Sequence, residues 1–299
     1  MIKSRAANIS SVEKWMMASR PKTLLAAFVP VIIGSSLAVA DGVFNPAAAF
    51  IALLCSALIQ IGTNFVNDLY DFLAGTDTKE RVGPTRVLAA GLVSVKEMKI
   101  AITLVFGVTF LCGLYLVYLG GWVILLIGIL SILSGIAYTA GPYPLAYNGL
   151  GDIFVFVFFG LVGTAGAYYV QSLHFTTLSI LTAIPVGALI TNILIVNNYR
   201  DIEQDKANGK NTLAVLFGRK FSQVQYSAFL IISYIVPVLV YIFFRQSVFV
   251  FLPILSLPLS VKLVKMIYTY DGAQLNETLE LTAKLSGIYG ILFSAGLIL

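Results

Sequence analysis

The chain has 299 residues, 59% of them hydrophobic and 11% charged, with a net charge of +5. A soluble protein of this length carries about a quarter charged residues, so a soluble globular fold is excluded. Repeated apolar runs of spanning length indicate an integral membrane protein instead, and the basic excess calls for no nucleic acid because it follows a membrane topology.

In chain order, residues 1–22 form a mixed segment expected on the cytoplasmic side, with no small-residue cleavage site before the first apolar run. Nine transmembrane helices follow: Leu24–Ala40, Pro46–Val66, Ala101–Leu119, Val123–Tyr138, Asp152–Val170, Leu178–Val196, Tyr226–Phe244, Val248–Ile267 and Leu281–Leu299. Helices satisfy their own backbone hydrogen bonds, as lipid requires. The expectation is an all-α, polytopic single bundle around a central cavity, one domain over residues 1–299. Asp41-Gly42, Gly120-Gly121, Gly141-Pro142 and Asp271-Gly272 mark turns between spans. Cys55 and Cys112 lie inside apolar runs and read as packing residues. His174, the only histidine, reads as a solvated loop residue without a role.

Lysines and arginines concentrate in the N-terminal segment and in the connections after spans two, six and eight; the opposite side carries only Arg245. That asymmetry places the N-terminus and those connections in the cytoplasm.

Two of these connections begin with acids. Asn64–Thr78 reads NFVNDLYDFLAGTDT and Asn197–Thr212 reads NNYRDIEQDKANGKNT. Asn64, Asn67, Asp68 and Asp71 recur at three- and four-residue steps and share a helix face, as do Asn197, Asp201 and Asp205. Aligning Asp71 with Asp205 pairs Asn64 with Asn198, Asn67 with Asp201, Gly75 with Gly209 and Thr78 with Thr212, which hints at an internal duplication. Gly75 and Gly209 are placed to end their helices or to let backbone approach a ligand.

Any one of these acids taken alone reads as a solvated loop charge. A pair of acidic stretches ending two spans on one side reads as a site, because carboxylates beside hydrocarbon are costly. Gathered in one cavity, Asp68, Asp71, Asp77, Asp201 and Asp205 would repel by roughly 4 kcal/mol per close pair at an effective dielectric near 20. A divalent cation removes that cost, and the all-oxygen set suits Mg²⁺, or Mn²⁺ equally. Lys79, Arg81, Arg86, Lys206 and Lys210 stand nearby to neutralise phosphate.

N-D-x-x-D on the second span, a further Asp downstream and D-x-x-x-D on the sixth resemble the paired motifs of the UbiA superfamily of intramembrane aromatic prenyltransferases. The likeness covers nearly the whole chain. Within the superfamily, Arg20–Leu24 (RPKTL), Arg81–Arg86 (RVGPTR), Gly141–Asp152 (GPYPLAYNGLGD) and Asn197–Gly218 resemble the branch that prenylates 1,4-dihydroxy-2-naphthoate on the way to menaquinone. The 4-hydroxybenzoate branch carries a basic pair where Tyr138–Asp152 here has no Lys or Arg.

The resemblance implies that Asp68, Asp71 and Asp77 hold one Mg²⁺ and Asp201 and Asp205 a second, with Asn67 and Asn64 assisting. It implies a membrane-borne polyprenyl diphosphate donor, held also by Lys79, Arg81, Arg86, Lys206 and Lys210, whose tail leaves sideways into lipid. Tyr70, Tyr138, Tyr143 and Phe156 become candidates for stabilising a prenyl cation. Arg20, Lys22 and Arg200 become candidates for the acceptor carboxylate, with Tyr138, Tyr143, Asn148 and Asn197 shaping the acceptor pocket. Asp152 reads as the cap of span five. The rival readings are a prenyltransferase for another acceptor, of 4-hydroxybenzoate or homogentisate type, and a secondary transporter. A transporter would set its acids near the bilayer midplane rather than at span ends. Tail length and oligomeric state leave no mark in the sequence.

Overall fold

The computed structural model describes residues 9–76 and 86–299, with Lys22 described by its backbone alone. A short helix α1 (Ser11–Ser19) precedes α2 (Pro21–Ala40), α3 (Pro46–Leu73) and α4 (Val95–Ala137). After a 3-10 turn at Leu145–Tyr147 come α5 (Gly151–Ser172), α6 (Thr177–Arg200), α7 (Ile202–Ala207), α8 (Leu213–Phe244), α9 (Val248–Thr269) and α10 (Leu275–Ile298). No strand occurs among the described residues.

Eight of these helical segments are long and apolar enough to cross a bilayer, against nine spans expected. The difference lies in α4. Its 43 residues would run about 65 Å at 1.5 Å per residue, twice the ~30 Å of bilayer hydrocarbon. Gly121 breaks it, with φ 67° and ψ −154°, a conformation that a side chain would oppose. Phe106 then packs with Ile132 and Ile136 in one apolar cluster, which requires the second arm to fold back on the first. Exposed Tyr118 and Trp122 flank the reversal, as aromatic side chains do at a membrane interface. The chain is a multi-pass membrane protein whose α4 supplies two crossings. The other three expected turn glycines, Gly42, Gly141 and Gly272, also sit at positive φ.

Local chemistry sets the helix starts. Asn45 caps α3 by accepting the Ala48 N–H at 3.1 Å, followed by Pro46 at the first helical position. Ser94–Glu97 and Thr176–Ser179 form reciprocal boxes at the starts of α4 and α6. The main core lies between α2, α6, α8, α9 and α10. Hydrogen bonds lace these helices, such as Tyr289 Oη to the Ser233 carbonyl and Asn192 Nδ2 to the Tyr226 carbonyl. Each such bond contributes roughly 0.6 kcal/mol in a membrane protein. Gly160 on α5 meets Gly187 on α6 so closely that a Cβ on Gly160 would lie 2.7 Å from the Gly187 Cα. Packing of this kind leaves α2, α3, α5, α6, α10 and the two arms of α4 around a cavity of about 870 Å³.

One sequence expectation changes and one is met. Asp152 does not cap α5; it is buried and accepts a hydrogen bond from Gln225 Nε2 of α8 at 2.9 Å. Cys55 and Cys112 are free thiols within one apolar cluster, as packing residues should be.

Candidate active site

One face of α3 carries the cavity from end to end. Ala52, Cys55, Ser56, Ile59, Gln60, Thr63, Asn64, Asn67 and Asp71 all line it. Their three- and four-residue spacing is that of one helix face. The face grades from apolar to polar over about 28 Å of helix, at 1.5 Å per residue. α3 runs seven residues past the expected end at Val66, so Asp68 and Asp71 stand on helix rather than in a loop.

α3 then stops in a Schellman motif. The Gly75 N–H donates to the Phe72 carbonyl and the Thr76 N–H to the Asp71 carbonyl, both at 3.1 Å, with Gly75 at φ 72°. The second stretch ends the same way. The Gly209 N–H donates to the Lys206 carbonyl at 3.2 Å and the Lys210 N–H to the Asp205 carbonyl at 2.8 Å, with Gly209 at φ 69°. The alignment of Asp71 with Asp205 read from sequence is therefore also a structural equivalence. Asn197, Asp201 and Asp205 do not sit on one unbroken helix, however. Asp201 joins α6 to α7 with φ −95° and ψ 10°. The Asp201 N–H to Asn197 carbonyl bond and the Asp205 N–H to Asp201 carbonyl bond keep the four-residue register across the joint.

The two stretches face one cavity. Asp71, Asp201 and Asp205 line it together with Asn67 and Asn197. Gln204 and Asn208 donate to the Thr76 carbonyl at 3.3 and 3.4 Å, tying α7 to the end of α3. Tyr147 completes the joint: its hydroxyl lies 2.8 Å from Asp71 Oδ1, and Lys210 Nζ lies 5.4 Å from its ring centre. Its carbonyl also accepts the Asn211 N–H at 2.9 Å.

Asp71, Asp201 and Asp205 each have a cationic neighbour. Arg86 Nη2 donates to Asp71 Oδ2 at 2.8 Å, both side chains buried. Arg200 clasps both oxygens of Asp201 at 2.7 Å through Nε and Nη2; Nη2 also donates to Asn197 and Nη1 to Asn276. Lys210 Nζ stands 3.7 Å from Asp205. Asn64 donates to the Ser19 carbonyl and to Thr23, which fastens α3 to the turn around Arg20, itself lining the cavity. Asn67 accepts from Thr139, and Tyr138 lines the wall beside them.

The structure parts company with several expectations. Asp68 is buried and accepts the Val87 N–H at 3.2 Å; it holds the following turn and does not line the cavity. Lys206 is exposed and away from the cavity, because α7 turns its opposite face inward. Tyr143 is 61% exposed, Asn148 donates to the Pro144 carbonyl, and neither lines the cavity; Tyr147 of the same connection does the joining. Nothing in composition separates the two tyrosines. Tyr70 and Phe156 also miss the cavity, whose aromatic lining comes from Phe110, Tyr138, Phe154, Phe158 and Phe159. Gln60 and Thr63 also line the cavity, and their signal in the sequence is that they continue the spacing of Asn64 and Asn67. Asp77, Lys79 and Arg81 lie outside the described residues, as does the side chain of Lys22.

Among the described residues no three Asp, Glu, His or Cys side chains gather closely enough to hold a metal alone. The donors present fit a cation of another habit. Mg²⁺ keeps several waters and is bound through one or two carboxylates plus substrate phosphates, and Asp71, Asp201 and Asp205 with Asn67 offer that kind of sparse, all-oxygen set.

Residues 27–288 match the UbiA prenyltransferase family. The 1,4-dihydroxy-2-naphthoate octaprenyltransferase of Escherichia coli (strain K12) is 36% identical over 298 residues, covering 97% of each chain. The chain belongs to the UbiA prenyltransferase family. The Haemophilus influenzae protein of the same description is 37% identical, with 96% of each chain covered. Among solved UbiA structures, the apo homologue from Aeropyrum pernix K1 superposes with a TM-score of 0.71 over 91% of this chain and 97% of that one, at 15% identity. The Archaeoglobus fulgidus UbiA homologue bound to DMAPP and Mg²⁺ gives 0.69 over 95% and 99%, at 18% identity. These two share the UbiA fold.

Proposed function

We propose that this protein transfers a polyprenyl group from polyprenyl diphosphate to 1,4-dihydroxy-2-naphthoate, releasing diphosphate and CO₂ and giving demethylmenaquinol. The observation that carries this reading is the meeting of two equivalent acid-bearing helix ends, through Tyr147, Gln204 and Asn208, at the polar end of a largely apolar cavity. Relatives 36–37% identical over nearly their whole length are naphthoate octaprenyltransferases. A UbiA homologue has been captured with an allylic diphosphate and Mg²⁺.

The reading treats the whole chain as one domain in the cell's inner membrane, with the N-terminus and the acid-bearing face in the cytoplasm. Asp71 and Asn67 on one side, and Asp201 and Asp205 on the other, would hold two Mg²⁺ ions, with Asp77 available to the first. Bound there, Mg²⁺ supplies charge stabilisation to the departing diphosphate. Arg86 and Lys210 add positive charge beside it, and Asp68 steadies the turn that presents Arg86. Phe110, Phe154, Phe158 and Phe159 exclude water from the allylic carbon as its C–O bond breaks. Tyr138 offers its ring to the positive charge on that carbon. Arg20 and Asn197 orient the naphthoate, with Arg20 facing its carboxylate. The ring carbon bearing that carboxylate attacks the allylic carbon. The C–CO₂⁻ bond then breaks, its electron pair restores the aromatic ring, and CO₂ departs.

The test uses purified protein in detergent with Mg²⁺, labelled naphthoate and a polyprenyl diphosphate. Prenylated, decarboxylated product that EDTA abolishes is the expected result. Absence of product across donors of several lengths overturns the reading. Competition with 4-hydroxybenzoate and homogentisate separates the acceptors.

A further inference from the structure

Along the cavity face of α3, Gln60 stands where the wall turns apolar. Beyond it come Ile59, Ser56, Cys55 and Ala52, and Ser56 gives its proton to the Ala27 carbonyl at 2.7 Å. Asn64, one turn nearer the acids, belongs to the first acid-bearing stretch. Gln60 lies outside that stretch and has no part in the chemistry above.

One oxygen fixes how both amides point. Thr23 Oγ1 donates its proton to the Arg20 carbonyl at 2.9 Å. A threonine hydroxyl has one proton and two lone pairs, so Thr23 can only accept from the amides it meets. Asn64 Nδ2 donates to it at 3.2 Å and Gln60 Nε2 at 3.3 Å. Each amide therefore stands nitrogen-first against α2. Gln60 lines the cavity, and its Oε1 has no partner among the described residues. An amide oxygen facing a largely apolar cavity costs free energy until a donor meets it.

The ligands differ in what they can offer that oxygen. A diphosphate, an isoprenoid chain and a carboxylate carry no hydrogen-bond donor. Water on a cation at Asp71 lies eleven residues along the helix from Gln60, about 16 Å at 1.5 Å per residue. A hydroxyl on the acceptor ring is the donor that remains. In 1,4-dihydroxy-2-naphthoate the 1-hydroxyl is ortho to the carboxylate and gives its proton to it internally. The 4-hydroxyl, across the ring, keeps its proton for a partner.

We propose that Gln60 Oε1 accepts the acceptor's 4-hydroxyl and so selects a 1,4-dihydroxy ring over a monohydroxy one. Thr23 acts behind it as the positioning residue. The 4-hydroxyl is meta to the carbon that attacks, so the contact orients the ring and leaves its activation to the 1-hydroxyl. The proposal rests on the naphthoate reading above.

The test compares 1,4-dihydroxy-2-naphthoate with 1-hydroxy-2-naphthoate, which keeps the carboxylate and the activating hydroxyl. Wild type, Gln60→Met, Gln60→Leu and Thr63→Val are assayed anaerobically with Mg²⁺ and one polyprenyl diphosphate. The intrinsic reactivities of the two rings cancel when their ratio is compared between variants. The ratio of dihydroxy to monohydroxy kcat/KM should fall about fivefold or more in Gln60→Met, the scale of one lost hydrogen bond. Most of the change should be a rise in KM for the dihydroxy ring, because the contact is made in ground and transition states alike. Gln60→Leu repeats the test with a second apolar side chain if the Met variant does not fold. Thr63→Val, also at the cavity wall, should hold the ratio within about twofold. An unchanged ratio in the Gln60 variants, or an equal fall in Thr63→Val, overturns the proposal and leaves Oε1 to water. A second readout needs no turnover. With Mg²⁺ and a non-hydrolysable thiodiphosphate donor, calorimetry on wild type should show the dihydroxy ring bound about fivefold tighter than the monohydroxy ring, and Gln60→Met should remove the difference. Equal affinities in wild type refute the contact. Wild-type protein that binds with this preference yet prenylates neither ring keeps the contact and overturns the prenyltransferase reading.

Discussion

The two acid-bearing helix ends share a shape but differ in how their charge is held. Both close in a Schellman motif, with Asp71 or Asp205 three positions from the stop and Gly75 or Gly209 just past it. In the second stretch the counter-charges are local: Arg200 adjoins Asp201, and Lys210 follows Asp205 by five residues. In the first the partners arrive from elsewhere, the Arg86 cation from fifteen residues on and the neutral Tyr147 hydroxyl from seventy-six. The second stretch can hold its charges as soon as its own helices form. The first is complete only when the turn after Arg86 and the connection between α4 and α5 have docked, so it should respond more widely to mutation.

The largest effects test that difference directly. Asp71→Ala and Asp201→Ala should each lower turnover by about 100-fold or more, the scale of losing one group that stabilises charge in a transition state. Their stabilities should differ. Asp71→Ala removes both the buried ion pair with Arg86 and the acceptor of the Tyr147 hydroxyl, and breaking a buried ion pair costs about 3 kcal/mol. Arg200 in Asp201→Ala keeps Asn197 and Asn276. Product formation and thermal unfolding in the same detergent measure both. Equal unfolding temperatures would erase the distinction between a locally held and a remotely held acid.

A smaller effect is expected at Arg200. Its planar fork meets two oxygens of Asp201 and two asparagines, and an ammonium cannot reproduce that geometry. Arg200→Lys should lower kcat/KM roughly thirtyfold, about 2 kcal/mol for lost charge-assisted hydrogen bonds. Lys210→Met, at a 3.7 Å pair, should cost roughly threefold. Reversal of that order in steady-state assays would make Lys210 the main holder of charge in the second stretch.

Tyr147 comes next. Tyr147→Phe deletes one hydrogen bond to Asp71, about 1 kcal/mol or roughly fivefold in turnover. Tyr143→Phe, four residues earlier and exposed, should stay within twofold of wild type. A matching loss at both positions would mean that the whole connection, rather than one hydroxyl, supports the first stretch.

Much of this was legible in the chain because membranes simplify the problem. Apolar runs of spanning length have one stable conformation, so the helices and the hairpin at Gly120-Gly121 followed from length and glycine placement. The register of Asn64, Asn67 and Asp71 followed from helical spacing. What spacing could not show was direction at the helix ends. Asp68 and Asp71 are three residues apart, yet one binds the backbone after Arg86 and the other faces the cavity. Lys206 and Lys210 both follow Asp205, yet only Lys210 reaches it, because the Schellman turn swings it back. Tyr143 and Tyr147 sit in one polar connection and differ only through the fold around them.

The finest test concerns the equivalence of the two helix ends. Gly75 and Gly209 hold nearly identical left-handed φ values, 72° and 69°, and a Cβ at either meets no atom of the described residues within 4 Å. Substitution by Ala therefore changes backbone energy and little else. The left-handed conformation costs an L-residue roughly 1–2 kcal/mol, so Gly75→Ala and Gly209→Ala should lower the unfolding temperature by similar amounts. Asn tolerates that conformation better than Ala, and Gly75→Asn and Gly209→Asn should recover part of each loss. Turnover should fall with stability in both Ala variants, since either turn fixes where its aspartate points. A cost at Gly75 without one at Gly209 would show that the ends share a geometry but not its energetic weight. The structure gives a reason to expect parity, because in each the residue after the glycine, Thr76 or Lys210, donates its backbone N–H to the carbonyl of the aspartate.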